Sequence, residues 1–228
     1  MNSVRTGVIT IGLLCSVHLA SAQDLSRYRD YALESSLESV IAASGARAAD
    51  TTTIHDRPAR IQQLDWRAPY VSSSSDEPAD PVRQLTFSFL DDALYQVVVT
   101  YDRDRTDGLT NADIIESLSK TYGPSASATS RARSVAPDGM LLDAVALAHW
   151  ENATSLVTLL RGAYTPEFQL IVISKPLSAR ALSAIREAKR LDSIDAPRRE
   201  AEQRKQEAAA AAAARAKTRT TNKDAFRP

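Results

Sequence analysis

The sequence predicts an α+β domain: an antiparallel sheet of about six strands in hairpins, covered by helices, with an Ala-rich helical or disordered tail. Three observations carry this. Residues 82–101 alternate apolar and polar side chains on both sides of Asp91-Asp92, as two half-buried strands joined by a turn do. Capping residues stand ahead of helically spaced apolar residues at Ser35, Thr110 and Ser178. Beyond Pro197 the chain has one aromatic residue and almost no branched aliphatics, so the core is expected to end there.

In chain order, the first residues read as an export signal. Arg5 gives a positive start, Gly7 to Leu19 an apolar stretch, and Ala20-Ser21-Ala22 a small-x-small site, so cleavage is expected between Ala22 and Gln23. Leu13 and Leu14 ahead of Cys15 do not form a lipoprotein processing site. Cys15 is the sole cysteine, so the processed chain has no disulfide, no thiolate metal site and no thiol nucleophile. The expected location is the periplasm or the outside of the cell, with the folded domain at residues 23–197 and a basic tail at 198–228.

Ser35 and Glu38 have the spacing of a capping box, and Leu37, Val40 and Ile41 share one face of a helix expected to stop at Gly45. Leu64 and Trp66 mark a strand, and Ser72 to Pro81 a turn-rich break. Leu85, Phe87 and Phe89, then Tyr95, Val97, Val99 and Tyr101, form a hairpin. A helix through Ile114, Ile115, Leu118 and Tyr122 ends at Gly123-Pro124. Ser125 to Gly139 reads as a loop, followed by a second hairpin turning at Glu151-Asn152 and a strand at Phe168–Ser174. A last helix, capped at Ser178, runs through Leu182, Ile185 and Leu191 and is expected to close at Pro197.

The neutral total charge hides two opposite regions. Residues 198–228 have nine Lys/Arg and four Asp/Glu, a net of +5, whereas residues 23–197 carry a net of −6. The tail has high helix propensity but no Leu/Ile stripe at heptad spacing, so its coiled-coil character is compositional only. A basic arm of this kind suits weak electrostatic contact with a membrane surface or a polysaccharide, while the acidic body disfavours nucleic acid. No apolar run in the processed chain reaches the length of a transmembrane helix.

The segment "YALESSLESVIAASG" resembles the opening of small exported α/β-meander domains, of the SmpA/OmlA-like and beta-lactamase-inhibitor-protein-like types. In those, a short small-residue element starts a helix packed on an antiparallel sheet; here Glu34 stands where the family has glycine. The hairpin with "LTNADIIESLSKTYGP" is similar to a pattern in uncharacterised bacterial exported proteins. The resemblance implies a fold, and through the inhibitor-like type it raises inhibition of a secreted enzyme, which would require an exposed aromatic sheet face.

Candidate sites are sparse. "YDRDRTDGLTNAD" concentrates four aspartates in thirteen residues, but against an EF-hand its glycine, Gly108, comes one place late and Asp113 replaces the long bidentate ligand. Turn and cap roles for Asp107-Gly108, Thr110 and Asp113 use the same residues without that conflict. The processed chain has two histidines, His55 and His149, with no metal-binding spacing, so no metal or cofactor is expected. Either histidine with nearby carboxylates would be the starting point of a small hydrolase; no G-x-S-x-G element points to a nucleophile. Trp66, Tyr95 and Trp150 are the candidates for a partner face, with the sheet core as the competing place for all three. The sequence therefore favours a non-enzymatic exported domain that binds an envelope protein or surface.

Overall fold

A computed structural model describes residues 23–68, 80–135, 141–162, 167–225 and Arg227. The expected signal segment and most of the break at Ser72–Pro81 lie outside the described residues. The chain is α+β. Strands β1 (Arg27–Tyr28) and β2 (Tyr31–Ala32) form a small ribbon, followed by helix α1 (Leu37–Ser44). A 3-10 turn (Ala48–Asp50) leads into β3 (Thr51–His55), β4 (Ile61–Arg67), β5 (Val82–Leu90) and β6 (Ala93–Tyr101). Helices α2 (Arg103–Thr106) and α3 (Asn111–Tyr122) precede β7 (Ala126–Val135), β8 (Leu141–Glu151), β9 (Ser155–Gly162), β10 (Phe168–Ser174) and α4 (Lys175–Ala225).

Strands β3 to β10 form one antiparallel sheet in the order β3-β4-β5-β6-β10-β9-β8-β7. Each half is a helix followed by a four-strand meander, and the halves join where β6 pairs with β10 around Val98 and Ile171. The sheet thus has eight strands rather than about six. The additional strands are its two edges: Thr51–His55, and the segment expected to be a loop, whose residues 126–135 pair with β8. An edge strand needs no continuous apolar face, because one side of its backbone and much of its side-chain surface meet water.

Three apolar clusters form: a large one on one face of the sheet, and on the other face one beneath α4 and a small one of Ala144, Ala146 and Leu160 with Ile171. Phe87, Phe89, Val97, Val99, Leu159, Leu170 and Val172 pack beneath α1, α3 and the β1–β2 ribbon. On the other face Ile61, Leu90 and Tyr95 meet Ala181 and Ile185 of α4. The β5–β6 turn, Asp91-Asp92, has φ of 47° and 73°, the twist that matches two-residue hairpins. Its second carboxylate accepts the Leu37 backbone N–H at 3.1 Å and so holds the start of α1. The cap of α1 is Ser36, one residue later than expected, accepting from Ser39 N. The helix stops at Gly45 in the left-handed region, φ 67°.

Helix α4 corrects two further expectations. It begins at Lys175, directly after β10, with Pro176 in the first turn where no N–H is needed. It also continues through Pro197 to Ala225. Arg199 reaches back across that proline to the Asp192 side chain at 3.0 Å, and the alanine-rich run beyond has the strongest intrinsic preference for helix. Among the described residues no helix is long and apolar enough to cross a membrane.

Candidate functional site

The two meanders place their tryptophans at matching positions. Trp66 lies on the second strand of the first meander opposite Leu85, and Trp150 on the second strand of the other opposite Val157. Each half also opens its helix with a hydroxyl cap, Ser36 or Thr110, and closes it with a glycine of positive φ, Gly45 or Gly123. The order of elements in the sequence already suggests such a pseudo-repeat of strand-plus-helix halves, without convincing residue identity between them.

The matching positions differ in how they are closed. Trp150 is 2% exposed, and its indole N–H donates to the Gly123 carbonyl at 2.7 Å. The ring of Tyr122 lies against it at 5.9 Å. Trp66 packs on the same core but remains partly exposed, and its indole N–H has no partner among the described residues. A crevice beside it is lined by Gly45, Ala46, Arg47 and Asp50, and by Asp65 and Arg67 of its own strand. The Arg47 guanidinium binds the Asp50 carboxylate at 2.7 Å and holds it below the usual carboxylate range. The last pair between β3 and β4 is Thr51 with Leu64, so among the described residues no strand pairs with the outer edge of Asp65, Trp66 and Arg67, beside which the 3-10 turn Ala48–Asp50 lies.

Tyr95, the third residue of the expected partner face, is 3% exposed beneath α4, on the face opposite both tryptophans. The three residues therefore do not share a surface.

No family model, curated protein or solved structure matches the chain.

Away from the helix, the face of the sheet that carries α4 is mixed, with a small apolar cluster of Ala144, Ala146, Leu160 and Ile171 among polar residues. A row of paired residues runs Asp65, Thr86, Val98, Ile171, Thr158, His149 from β4 to β8, with no aromatic member. Asp65 accepts hydrogen bonds from Gln63 at 2.9 Å and from Thr86 at 2.7 Å. His149 ends this row, half-buried. His55 lies elsewhere, in a groove between the β3–β4 connection and α4. Its neighbours there are charged, but the carboxylates are engaged by arginines: Arg57 binds Asp195 at 2.5 Å and Arg199 binds Asp192 at 3.0 Å. Those guanidiniums lower both carboxyl pKa values. Neither imidazole hydrogen-bonds a carboxylate or hydroxyl side chain among the described residues.

The aspartate-rich stretch builds turns and caps. Asp102 accepts from the backbone of Asp104 and Arg105 to start α2. Thr110 and Asp113 cap each other at the start of α3, and the Thr110 bonds hold the Asp113 carboxyl below its usual range. Gly108 takes φ 78° between the helices. Among the described residues no group of three His, Cys, Asp or Glu side chains is placed to hold a metal ion.

Near the N-terminus, Arg29 clasps Asp80 through both guanidinium nitrogens, which lowers the Asp80 pKa. Burial pushes the neighbouring Tyr28 hydroxyl up to about 12 and raises Tyr101 and Tyr122 as well. Tyr122 donates to the Arg27 carbonyl at 3.3 Å, which ties the ribbon to the end of α3.

Proposed function

We propose that the protein is an exported, periplasmic, non-enzymatic binding domain that captures an extended segment of an envelope protein along the free edge of β4, with Trp66 as its anchor. One observation supports this most: a tryptophan sealed inside one half of the molecule has a counterpart in the other half that is left unsealed, beside an unpaired strand edge. Backbone groups on such an edge supply affinity to an added strand, and a neighbouring aromatic crevice supplies selectivity. Tryptophan at a partly closed site is the residue most often found to dominate interface energetics. Arg67, exposed next to it, adds a positive charge to the rim. The export signal read at residues 1–22 supports the location, and the basic tail adds weak electrostatic attachment.

The test is capture from a periplasmic extract by immobilised protein, with and without residues 198–228. Trp66→Ala is expected to lose the captured protein while the variant stays folded. Recovery of no partner in repeated trials, or equal recovery by Trp66→Ala, would count against the reading.

A further inference from the structure

Helix α4 changes character along its length. Ala181, Ile185 and Ala188 are buried against the sheet, and Arg57 grips Asp192 and Asp195 a turn or two later. From Glu202 to Ala225 every residue is exposed, a stretch of about 36 Å at helical rise. No tertiary contact fixes which residues face outward there, so the pattern of charge around the helix is not a by-product of core packing.

That pattern is one-sided. At about 100° per residue, Arg204, Lys205, Arg215, Arg219 and Lys223 fall within one arc of about 100°. Ala201, Ala208, Ala212 and Asn222 fill the rest of that arc. The acidic residues of the segment, Glu202, Glu207 and Asp224, lie outside it, as does Lys217. Five cations therefore line one side of a rod over about 28 Å.

We infer that this stripe seats α4 lengthwise on an anionic lipid headgroup surface. The inference rests on the electrostatic tail in the reading above and names what the tail meets. Two features select a lipid surface over a folded acidic partner. The arc contains no Trp, Tyr, Leu or Phe to fill a pocket, and pockets filled by such side chains are what make protein interfaces tight. A plane of headgroups needs no shape match, and each Lys or Arg brought near it contributes independently. The same composition excludes insertion, since no apolar face exists to enter the acyl region. The body, at net −6, is repelled by such a surface, and the exposed length of α4 lets the stripe make contact beyond it.

The experiment uses protein from Gln23 to Pro228, which includes every described element, in sedimentation with phosphatidylglycerol–phosphatidylcholine vesicles and with phosphatidylcholine alone. Binding is expected only with the anionic vesicles, and it should fall as salt rises because the Debye length shortens. The triple variant Arg204→Gln, Arg215→Gln, Arg219→Gln should bind about a hundredfold more weakly, at about fivefold per residue. A second triple variant, Arg198→Gln, Lys217→Gln, Arg227→Gln, removes the same charge from outside the stripe, keeps the Arg199–Asp192 bond and should lose much less. Glutamine keeps helix propensity close to that of arginine and lysine, and far-ultraviolet circular dichroism checks it. Equal losses in the two variants would overturn the stripe, as would equal binding to neutral vesicles. Salt-sensitive binding to a soluble acidic polysaccharide without vesicle binding, or self-association in place of either, would also overturn it. Trp66→Ala should leave vesicle binding unchanged, so failure of the partner reading and failure of the lipid reading are seen separately.

Discussion

The two halves of the sheet use one plan and finish it differently. In the second half, Gly123 ends α3, its carbonyl accepts the Trp150 indole N–H, and Tyr122 covers the ring. In the first half, Gly45 ends the shorter α1, and Trp66 borders an open crevice with Arg47 and Asp50 on the far side. Eight helical residues cover less of the sheet than twelve. Where the end of the covering helix satisfies the indole N–H, the tryptophan is sealed, and where the helix falls short the same residue stays partly exposed.

The two tryptophans should differ most on mutation. Trp150→Ala should destabilise by about 3–5 kcal/mol, the cost of emptying a large aromatic site, with an unpaired Gly123 carbonyl in addition. Trp66→Ala should cost less, about 2 kcal/mol, because part of this side chain, unlike that of Trp150, is already exposed. Urea unfolding of both variants decides the matter, and equal costs would make Trp66 a core residue like its counterpart.

The glycines give the next largest contrast. Gly123 combines φ 87° with ψ −169°, a region that side chains other than hydrogen do not tolerate, so Gly123→Ala should cost about 2–3 kcal/mol. Gly45, at φ 67° and ψ 12°, sits in the ordinary left-handed region with open space around it, and Gly45→Ala should cost about 1 kcal/mol. A Gly45→Asn variant should recover part of that, because asparagine visits this region more readily.

This contrast also shows which parts of the fold sequence patterns reveal. The central hairpin was legible because Leu85, Phe87 and Phe89 alternate, and alternation is the direct imprint of one buried face. Phe168–Ser174 and α3 were legible for the same reason and by their caps. The edges were not. "TTTIH" buries too little to leave a pattern, "ASATSRARSV" holds one large apolar residue, Val135, and the strand character of both comes from the backbone of the neighbour each one pairs with. The end of α4 was misplaced because Pro197 was weighed locally, whereas the alanine run and the Arg199–Asp192 bond act across it. At the candidate site Trp66 was visible as a residue, but its partial exposure depends on α1 stopping at Gly45 and β3 starting at Thr51. Those are distances between segments, and no single strand pattern contains them.

The N-terminal ribbon touches both halves, since Tyr28 lies in the shared core and the Arg27 carbonyl receives Tyr122. The folded pKa of Tyr28 is raised by burial to about 12, so its contribution to stability is complete below the unfolded value near 10 and is lost as pH rises toward 12. The expected loss is on the order of 2 kcal/mol across that window, smaller in Tyr28→Phe, which cannot ionise. Denaturant unfolding at stepped pH measures it. Near-ultraviolet circular dichroism of Trp150 should change before that of Trp66, because the ribbon closes the Tyr122 end of the molecule.

The smallest effect belongs to the link between Arg57 and α4. Its partners Asp192 and Asp195 are exposed carboxylates with lowered pKa values, so the link is intact at neutral pH and released as acid protonates them. Exposed ion pairs add little to global stability, and Arg57→Ala should leave the unfolding midpoint nearly unchanged. Local stability is a different quantity, set here by the few contacts that hold this part of the helix to the first half of the sheet. Amide exchange in residues 189–199 of Arg57→Ala should therefore quicken severalfold, while residues 178–188, anchored by Ala181 and Ile185, stay protected. If both stretches quicken together, α4 is held to the sheet as one unit and the ionic contact is part of its packing; if neither does, the apolar anchor alone fixes where the basic stripe is carried.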